Sequence, residues 1–307
     1  MSSVLERIPE RGRVAVIRIR SMGDCILSTP ALDVLQRARP DLSVAIVVED
    51  RFRALFEGNP DVAGILPPEW KRVRRWRPDL CLNLHGGVSS AILTALSGAR
   101  FRAGFAHFRH SRIYNVRIPR AQEILGVARK VHTAEHLASA IFYLGVPRVE
   151  IPRARLFTSQ PAQAGIPALP YAVIHPVAAA SGKTWPAERF LAVADHLHHS
   201  CELKPVFIAG PGEDLSAFRS WQTVPAAPLE QIKSLIAGAA LFVGNDSGPA
   251  HMAAAFGIPV VVIFGPSDPV VWAPWRTQAE VLSSTSGIAS VSVPQVIGAL
   301  EKLRVHA

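Results

Sequence analysis

Leu241-Phe242-Val243-Gly244 runs directly into Asn245-Asp246-Ser247-Gly248-Pro249-Ala250-His251, and this junction points to the fold class. An apolar run of strand length ends in a turn of small and polar residues, and a helical segment, His251 to Phe256, follows. A strand delivered straight into a helix N-terminus is the working unit of an open α/β sheet, where ligands bind beyond the carboxyl ends of the strands. Small residues at that N-terminus leave backbone N–H groups open to phosphate oxygens, and the helix dipole adds to the attraction. The plainer alternative is that Asp246 or Ser247 only caps the helix and that His251 is a satisfied buried histidine.

Working outward, the same alternation recurs. Strands are expected at Ala172–His175, Val206–Ala209 and Val260–Phe264, and helices at Pro186–His199, Leu229–Ala237 and Pro294–Leu303. In the first half, Val14–Ile19, Val44–Val48 and Leu80–Leu84 read as strands, with helices over Ile26–Arg39 and Ser89–Leu96. That order implies mainly parallel sheets covered by helices on both faces. Between the halves, Pro147, Pro152, Pro161, Pro167 and Pro170 give 147–170 a linker composition. The boundary is placed there, with an N-terminal domain over 1–156 and a C-terminal one over 157–307. No short-period repeat is present, so the halves repeat an architecture and not a sequence. The expectation is an α/β chain of two Rossmann-like domains facing a cleft.

Composition narrows the class of function. The 307 residues suit two domains, and 49% hydrophobic against 19% charged residues excludes a disordered chain. Lys and Arg number 33 against 24 Asp and Glu, a formal charge of +9 that calls for an anionic partner. Nucleic acid, an acidic membrane face and a phosphorylated substrate all qualify on charge alone. The three cysteines, Cys25, Cys81 and Cys201, are far apart and form no Cys-x-x-Cys pair, which suits reduced thiols in a cytoplasmic protein. The charged N-terminus does not resemble a signal peptide, and no run approaches the roughly 20 apolar residues of a membrane span. A basic surface could still rest on an anionic leaflet.

Three further loops qualify as sites. Arg18-Ile19-Arg20-Ser21-Met22-Gly23-Asp24 has one glycine where a dinucleotide fingerprint needs three, so Asp24 is either a helix cap or a carboxylate able to take a proton from a hydroxyl. His175-Pro176 to Ser181-Gly182-Lys183-Thr184 lacks the earlier glycine of a P-loop, which excludes that NTPase motif. Lys183 could still neutralise a diphosphate as a point charge, or be a solvated surface lysine. In Gly210-Pro211-Gly212-Glu213-Asp214, an ordinary turn by composition, Glu213 could accept hydrogen bonds from ribose hydroxyls. There is no Asp-x-Asp for a metal-diphosphate clamp and no Gly-x-Ser-x-Gly elbow. The eleven histidines are read as showing no His-x-x-x-His pair within a helix and no Cys/His quartet, so no metal is expected. Two basic clusters remain: Lys71, Arg72, Arg74, Arg75 and Arg77 beside Trp70 and Trp76, and Arg100, Arg102, Arg109, His110 and Arg112 before Tyr114. Each is a solvated face, a nucleic-acid patch or an arginine cradle for carboxylates and phosphates.

Taken in order, four segments resemble glycosyltransferase family 9, the ADP-heptose:lipopolysaccharide heptosyltransferases, over nearly the whole chain. They are Ser21-Met22-Gly23-Asp24 leading to Thr29-Pro30-Ala31-Leu32, Asp79 to Gly86, His175-Pro176 to Lys183-x-Trp185-Pro186, and Asp246-Ser247-Gly248-Pro249-x-His251. The resemblance implies the GT-B fold, with acceptor binding in the first domain and nucleotide-sugar binding in the second. It implies inverting transfer of heptose from ADP-heptose to an acidic lipopolysaccharide core, with no cofactor. Asp24 would be the general base and Lys183 the diphosphate-neutralising residue. Asp246, Ser247, Gly248 and His251 would hold the donor, Glu213 the ribose, and Arg109 and Arg112 the acidic acceptor. The setting would be the cytoplasmic face of the inner membrane, in peripheral contact. Nucleic acid falls away as a partner, since no helix-turn-helix or zinc motif is present. Alternatives are a GT-B transferase or epimerase using another nucleotide sugar, or a non-catalytic nucleotide-sugar-binding protein. Two departures from the family pattern stand out: Val177-Ala178-Ala179-Ala180, where glycine and hydroxyl residues are usual, and His85, where glutamine is common.

Overall fold

The computed structural model describes residues 3–158, 170–178 and 181–303. Ala179 and Ala180 of the lysine loop, and Pro161 and Pro167 of the expected linker, lie outside the described residues. The chain divides into two compact units, Met1–Phe157 and Thr158–Ala307.

Unit 1 is built on β1 (Arg13–Ile17), β2 (Ser43–Val47), β3 (Gly64–Leu66), β4 (Leu80–Asn83), β5 (Phe101–Phe105) and β6 (Val116–Ile118). Its helices are α1 (Met22–Ile26), α2 (Thr29–Ala38), α3 (Trp70–Trp76), α4 (Val88–Leu96), α5 (Ala121–Leu125) and α6 (Thr133–Leu144). Unit 2 contains β7 (Tyr171–His175), β8 (Lys204–Ala209), β9 (Gln222–Pro225), β10 (Leu241–Asn245), β11 (Val260–Phe264) and β12 (Ala279–Ser283). With them go α7 (Ala187–Ser200), α8 (Leu229–Ala237), α9 (Gly248–Phe256), α10 (Pro269–Trp272) and α11 (Val293–Leu303).

Every strand pair is parallel. The sheets run β3-β2-β1-β4-β5-β6 and β12-β11-β10-β7-β8-β9. Counted within its own unit, each is the 3-2-1-4-5-6 order of a Rossmann sheet, with its reversal point between the first and fourth strands. Interior strands of such sheets are buried on both faces, which is why Val14-Ala15-Val16-Ile17 in β1 and Val260-Val261-Val262-Ile263 in β11 are unbroken apolar runs.

The sequence reading missed β3, β5, β6, β9 and β12. The sheet-edge strands β3, β9 and β12 are only half-buried, β6 is three residues long, and Arg102 interrupts β5. Their apolar signal is correspondingly weak. One expectation needs correction. Ile26–Arg39 is not a single helix, because Pro30 has no N–H to return to the carbonyl of Ile26. Thr29 Oγ1 donates to that carbonyl at 2.8 Å and Ser28 Oγ to Cys25 O at 2.6 Å, so the chain closes α1 and restarts as α2.

Glycine is required where β10 meets β7. A Cβ on Gly244 would stand 2.9 Å from the carbonyl oxygen of His175 and 3.0 Å from the Phe242 ring. Gly244→Ala is expected to destabilise the protein by about 1–3 kcal/mol through overpacking. The midpoint of urea unfolding checks this, and an unchanged midpoint would mean the two strands are not held this closely.

Candidate active site

In unit 1, β1 leads into the Arg18–Asp24 loop at the reversal point. The buried Arg18 guanidinium donates both to the Leu84 carbonyl and to the Asp24 carboxylate. The second carboxylate oxygen of Asp24 accepts from the Ser21 hydroxyl at 3.0 Å. Ser21, not Asp24, occupies the cap position of α1, and Asp24 is the third residue of the helix. Across the reversal, fully buried Asn83 ends β4. Its carbonyl oxygen accepts the N–H groups of His85 at 2.9 Å and Gly86 at 3.1 Å, while its amide donates to Tyr114 Oη at 2.9 Å. Gly86 has φ +83°, and a Cβ there would meet the Phe108 ring at 2.8 Å. Burial chiefly, and then the Arg18 charge, holds the His85 imidazole below its usual pKa.

Beyond β5, His136 stacks on Phe105 with ring centroids 4.0 Å apart, and His107 lies 5.6 Å from it. Burial first, then His107 and Arg18, pushes the His136 pKa down to about 4. Arg109 and Arg112 are exposed on the β5–β6 connection. The thiols of Cys25 and Cys81 are buried, and desolvation pushes both up to about 12, so neither is a nucleophile near neutral pH.

Unit 2 gathers its polar groups at the carboxyl ends of β7, β8 and β10. His175, the last residue of β7, is buried with Nδ1 3.1 Å from Ser247 Oγ and Nε2 3.2 Å from Glu213 Oε2. The same glutamate oxygen accepts the Gly210 N–H at 2.6 Å. His175 chiefly, helped by Gly210, holds the Glu213 carboxyl below its usual pKa against the opposing effect of burial. Lys183 Nζ lies 3.2 Å from Asp246 Oδ2, with the carboxylate 9% and the lysine 35% exposed. Asn245 staples the lysine loop to β10. Its carbonyl oxygen accepts the Trp185 N–H at 3.0 Å and its amide donates to Pro176 O at 2.9 Å. Fully buried Trp185 donates its indole N–H to Val291 O at 2.8 Å. Gly265 permits the close packing, since a Cβ there would stand 2.6 Å from Gly182 O.

Ser247 stands at the cap position of α9 but makes no capping bond, its hydroxyl being turned to His175. Gly248 and Pro249 follow, and His251 is buried a turn further on. The carboxylate of Asp246 likewise serves Lys183. Neither side chain is a plain cap. An anion approaching this end would meet a helix dipole and a lysine ammonium together.

Structure thus brings Lys183, Glu213, Asp246, Ser247 and Gly248 together within unit 2, and places Asp24 at the matching position of unit 1. Three residues gain importance that sequence reasoning did not give them: Arg18, His175 and Asn245. The available signal was a charged or polar residue at the end of an otherwise apolar strand. Against the expectation of no such pair, His132 and His136 stand four apart, His132 at the cap of α6 and His136 within it. They hold no metal site together: His132 Nδ1 accepts the Ala134 N–H at 3.1 Å, Glu135 pairs with Arg129 at 2.6 Å, and His136 stacks on Phe105. Among the described residues no group of three His, Cys, Asp or Glu could hold a metal ion, and no helix is long and apolar enough to cross a membrane.

Two parallel six-stranded Rossmann sheets of this strand order make an α/β fold like that of solved GT-B heptosyltransferases. The model of glycosyltransferase family 9 (heptosyltransferase) matches residues 69–295. The chain belongs to that family, the heptosyltransferases of lipopolysaccharide core biosynthesis. It is 27% identical to lipopolysaccharide heptosyltransferase 3 of Escherichia coli, covering 84% of each chain. Identity to lipopolysaccharide heptosyltransferase 1 of Escherichia coli K12 is 26%, over 84% of this chain and 89% of that one. Among solved structures, the family 9 glycosyl transferase of Veillonella parvula superposes with a TM-score of 0.84 at 23% identity, covering 96% of this chain and 98% of that one. E. coli heptosyltransferase WaaC with ADP superposes with a TM-score of 0.77 at 22% identity, over 95% and 99% of the two chains. The fold matches in both. The Asp24 loop precedes the stretch matched by the family model.

His136 makes the fold acid-sensitive in a defined window. Its pKa is about 4 when folded against 6.5 unperturbed, so between those values the unfolded chain binds a proton that the folded chain does not. Stability therefore falls as pH drops from 6.5 to 4, by up to about 3 kcal/mol from this group. His136→Phe should flatten that part of a stability–pH profile measured by urea unfolding. An unchanged slope would show that His136 titrates normally.

Proposed function

We propose that this chain transfers heptose from ADP-heptose to an acidic lipopolysaccharide core acceptor, with inversion at the anomeric carbon. The observation that carries the reading is the pairing of Lys183 with the uncapped N-terminus of α9 at the β7/β10 reversal point. As the glycosidic bond breaks, negative charge grows on the departing diphosphate. An ammonium and fixed main-chain dipoles aimed at that charge stabilise it most where water is excluded. Lys183 would exchange Asp246 for the diphosphate on binding, leaving Asp246, Ser247, Gly248 and His251 around the phosphate and sugar. Glu213 uses Oε2 for His175 and Gly210, and Oε1 would accept from a ribose hydroxyl.

Asp24 would take the proton from the attacking acceptor hydroxyl. The hydroxyl oxygen forms the new bond to the anomeric carbon, the carbon–oxygen bond to ADP breaks, and the configuration inverts because attack comes opposite the leaving group. Arg18 and Ser21 fix the carboxylate for this step. The exposed guanidinium groups of Arg109 and Arg112 would meet anionic groups of the acceptor. A lipid-anchored acceptor would place the reaction in peripheral contact with the cytoplasmic face of the inner membrane.

Purified protein should release ADP from ADP-heptose only when a lipopolysaccharide core acceptor is present. Asp24→Asn should lower kcat by about 10²–10⁴ with little change in donor KM. Lys183→Ala should lower kcat by about 10²–10³ and weaken donor binding as well. Donor conversion without acceptor would favour an epimerase, and a fully active Asp24→Asn enzyme would remove Asp24 from the mechanism.

A further inference from the structure

Helix α4, Val-Ser-Ser-Ala-Ile-Leu-Thr-Ala-Leu over Val88–Leu96, carries no charged residue and buries Ala91 and Leu93 together with Ser90 and Thr94. Its buried side includes Ser90 and Thr94, whose hydroxyls are satisfied by the main chain: Ser90 Oγ donates to Gly87 O and Thr94 Oγ1 to Ser90 O, each at 2.7 Å. Its solvent side shows Val88, Ile92 and Leu96 at 55%, 51% and 40% exposure. Spaced four residues apart, these three form one stripe about 12 Å long. A surface helix of a water-facing domain normally shows polar residues on that side.

Helix α3 packs beside it. Lys71, Arg72, Arg74, Arg75 and Arg77 are all exposed, and Trp70 is 41% exposed. The stem of Arg74 lies over Gly98, just past the end of α4. Lys71, Arg74, Arg75 and Arg77, with Trp70 and Arg13, line an open depression of about 560 Å³. Glu69, 3.9 Å from Arg72, is the one carboxylate paired with these five cations among the described residues.

We propose that the α3–α4 face is a docking surface for an anionic lipid bilayer. Val88, Ile92 and Leu96 enter the headgroup–acyl boundary, Trp70 sits at headgroup level, and the α3 cations bind lipid phosphates. An uncharged apolar stripe bordered by basic residues and an indole is the anatomy of an interfacial helix, and the two contributions add. A second copy of the chain is a poor occupant, because a symmetric contact would set the α3 cations against one another. The stripe also begins at Val88, directly after the Asn83–Gly87 loop whose His85 feels the charges of Arg18 and Asp24. On the transferase reading above, a bilayer on this face delivers a lipid-anchored acceptor to the Asp24 end of unit 1.

The test is sedimentation of the full chain with vesicles of phosphatidylglycerol and phosphatidylethanolamine, against vesicles of phosphatidylcholine alone. Binding is expected to the anionic vesicles only, and should weaken as salt rises. Arg74→Glu with Arg75→Glu should lower partitioning by more than about twentyfold. Ile92→Glu with Leu96→Glu should lower it by at least about tenfold. Both double variants alter exposed side chains and should keep the thermal midpoint of the parent. Failure of the parent to bind anionic vesicles, equal binding by the variants, or capture of an acidic protein in place of lipid would overturn the proposal. ADP release with a water-soluble, lipid-free core acceptor separates this from the transferase reading. The variants should keep that activity, whereas its absence in the parent would count against transfer and leave the docking result standing.

Discussion

Each sheet reverses its strand order once, between β1 and β4 in unit 1 and between β7 and β10 in unit 2, and the proposed base and donor-binding residues gather at those reversals. Right-handed crossovers from the two central strands leave in opposite directions, so no helix covers the carboxyl ends between them. The backbone must diverge there while its polar groups still need partners. Both units solve the problem with the same residue at the equivalent place. Asn83 ends β4 and Asn245 ends β10, each fully buried, and each spends its side-chain amide holding a neighbouring loop. A buried amide carries donor and acceptor together, so one side chain can replace both halves of a lost strand pairing. Lys183 stands on the loop that Asn245 holds, and Arg18 binds the Leu84 carbonyl beside the turn that Asn83 holds.

A second shared device is charge. Each proposed functional carboxylate has a basic partner: Arg18 for Asp24, His175 for Glu213 and Lys183 for Asp246. A partly buried carboxylate without such a partner would carry a large desolvation cost. The pairings differ in what they permit. Arg18 also binds the Leu84 carbonyl, which ties it in place, whereas Lys183 is a flexible point charge at the rim and can pass from one anion to another. A fixed pair suits a group that must stay oriented, and an exchangeable pair suits a group that must let a ligand in and out.

Much of this was legible in the sequence, for physical reasons that also explain the omissions. Central parallel strands are buried on both faces, so β1, β2, β4, β7, β10 and β11 stand out as continuous apolar runs. Edge strands need only half an apolar face and pass unnoticed. The turn at Asp246–His251 was readable because small residues before a helix have few other purposes. Arg18 and His175 were not readable as partners, because a side-chain contact between residues six or thirty-eight apart leaves no periodic trace. The capping reading of Asp24 holds in part: Ser21 takes the cap position, and the Asp24 carboxylate completes a capping box with the Ser21 main chain while also binding Arg18, a partner the local pattern does not show. The exposed apolar stripe of α4 is invisible until the sheet beneath it is known, since Val88–Leu96 reads simply as an apolar helix.

On the proposed function, the second reversal point receives a nucleotide diphosphate. A crystal structure of the protein with ADP bound decides this. Diphosphate oxygens are expected on Lys183 Nζ and on main-chain N–H groups at the start of α9, with the ribose against Glu213 and the Lys183–Asp246 pair opened. ADP seated against Arg18 and Asp24, or bound while Lys183 stays on Asp246, would contradict it.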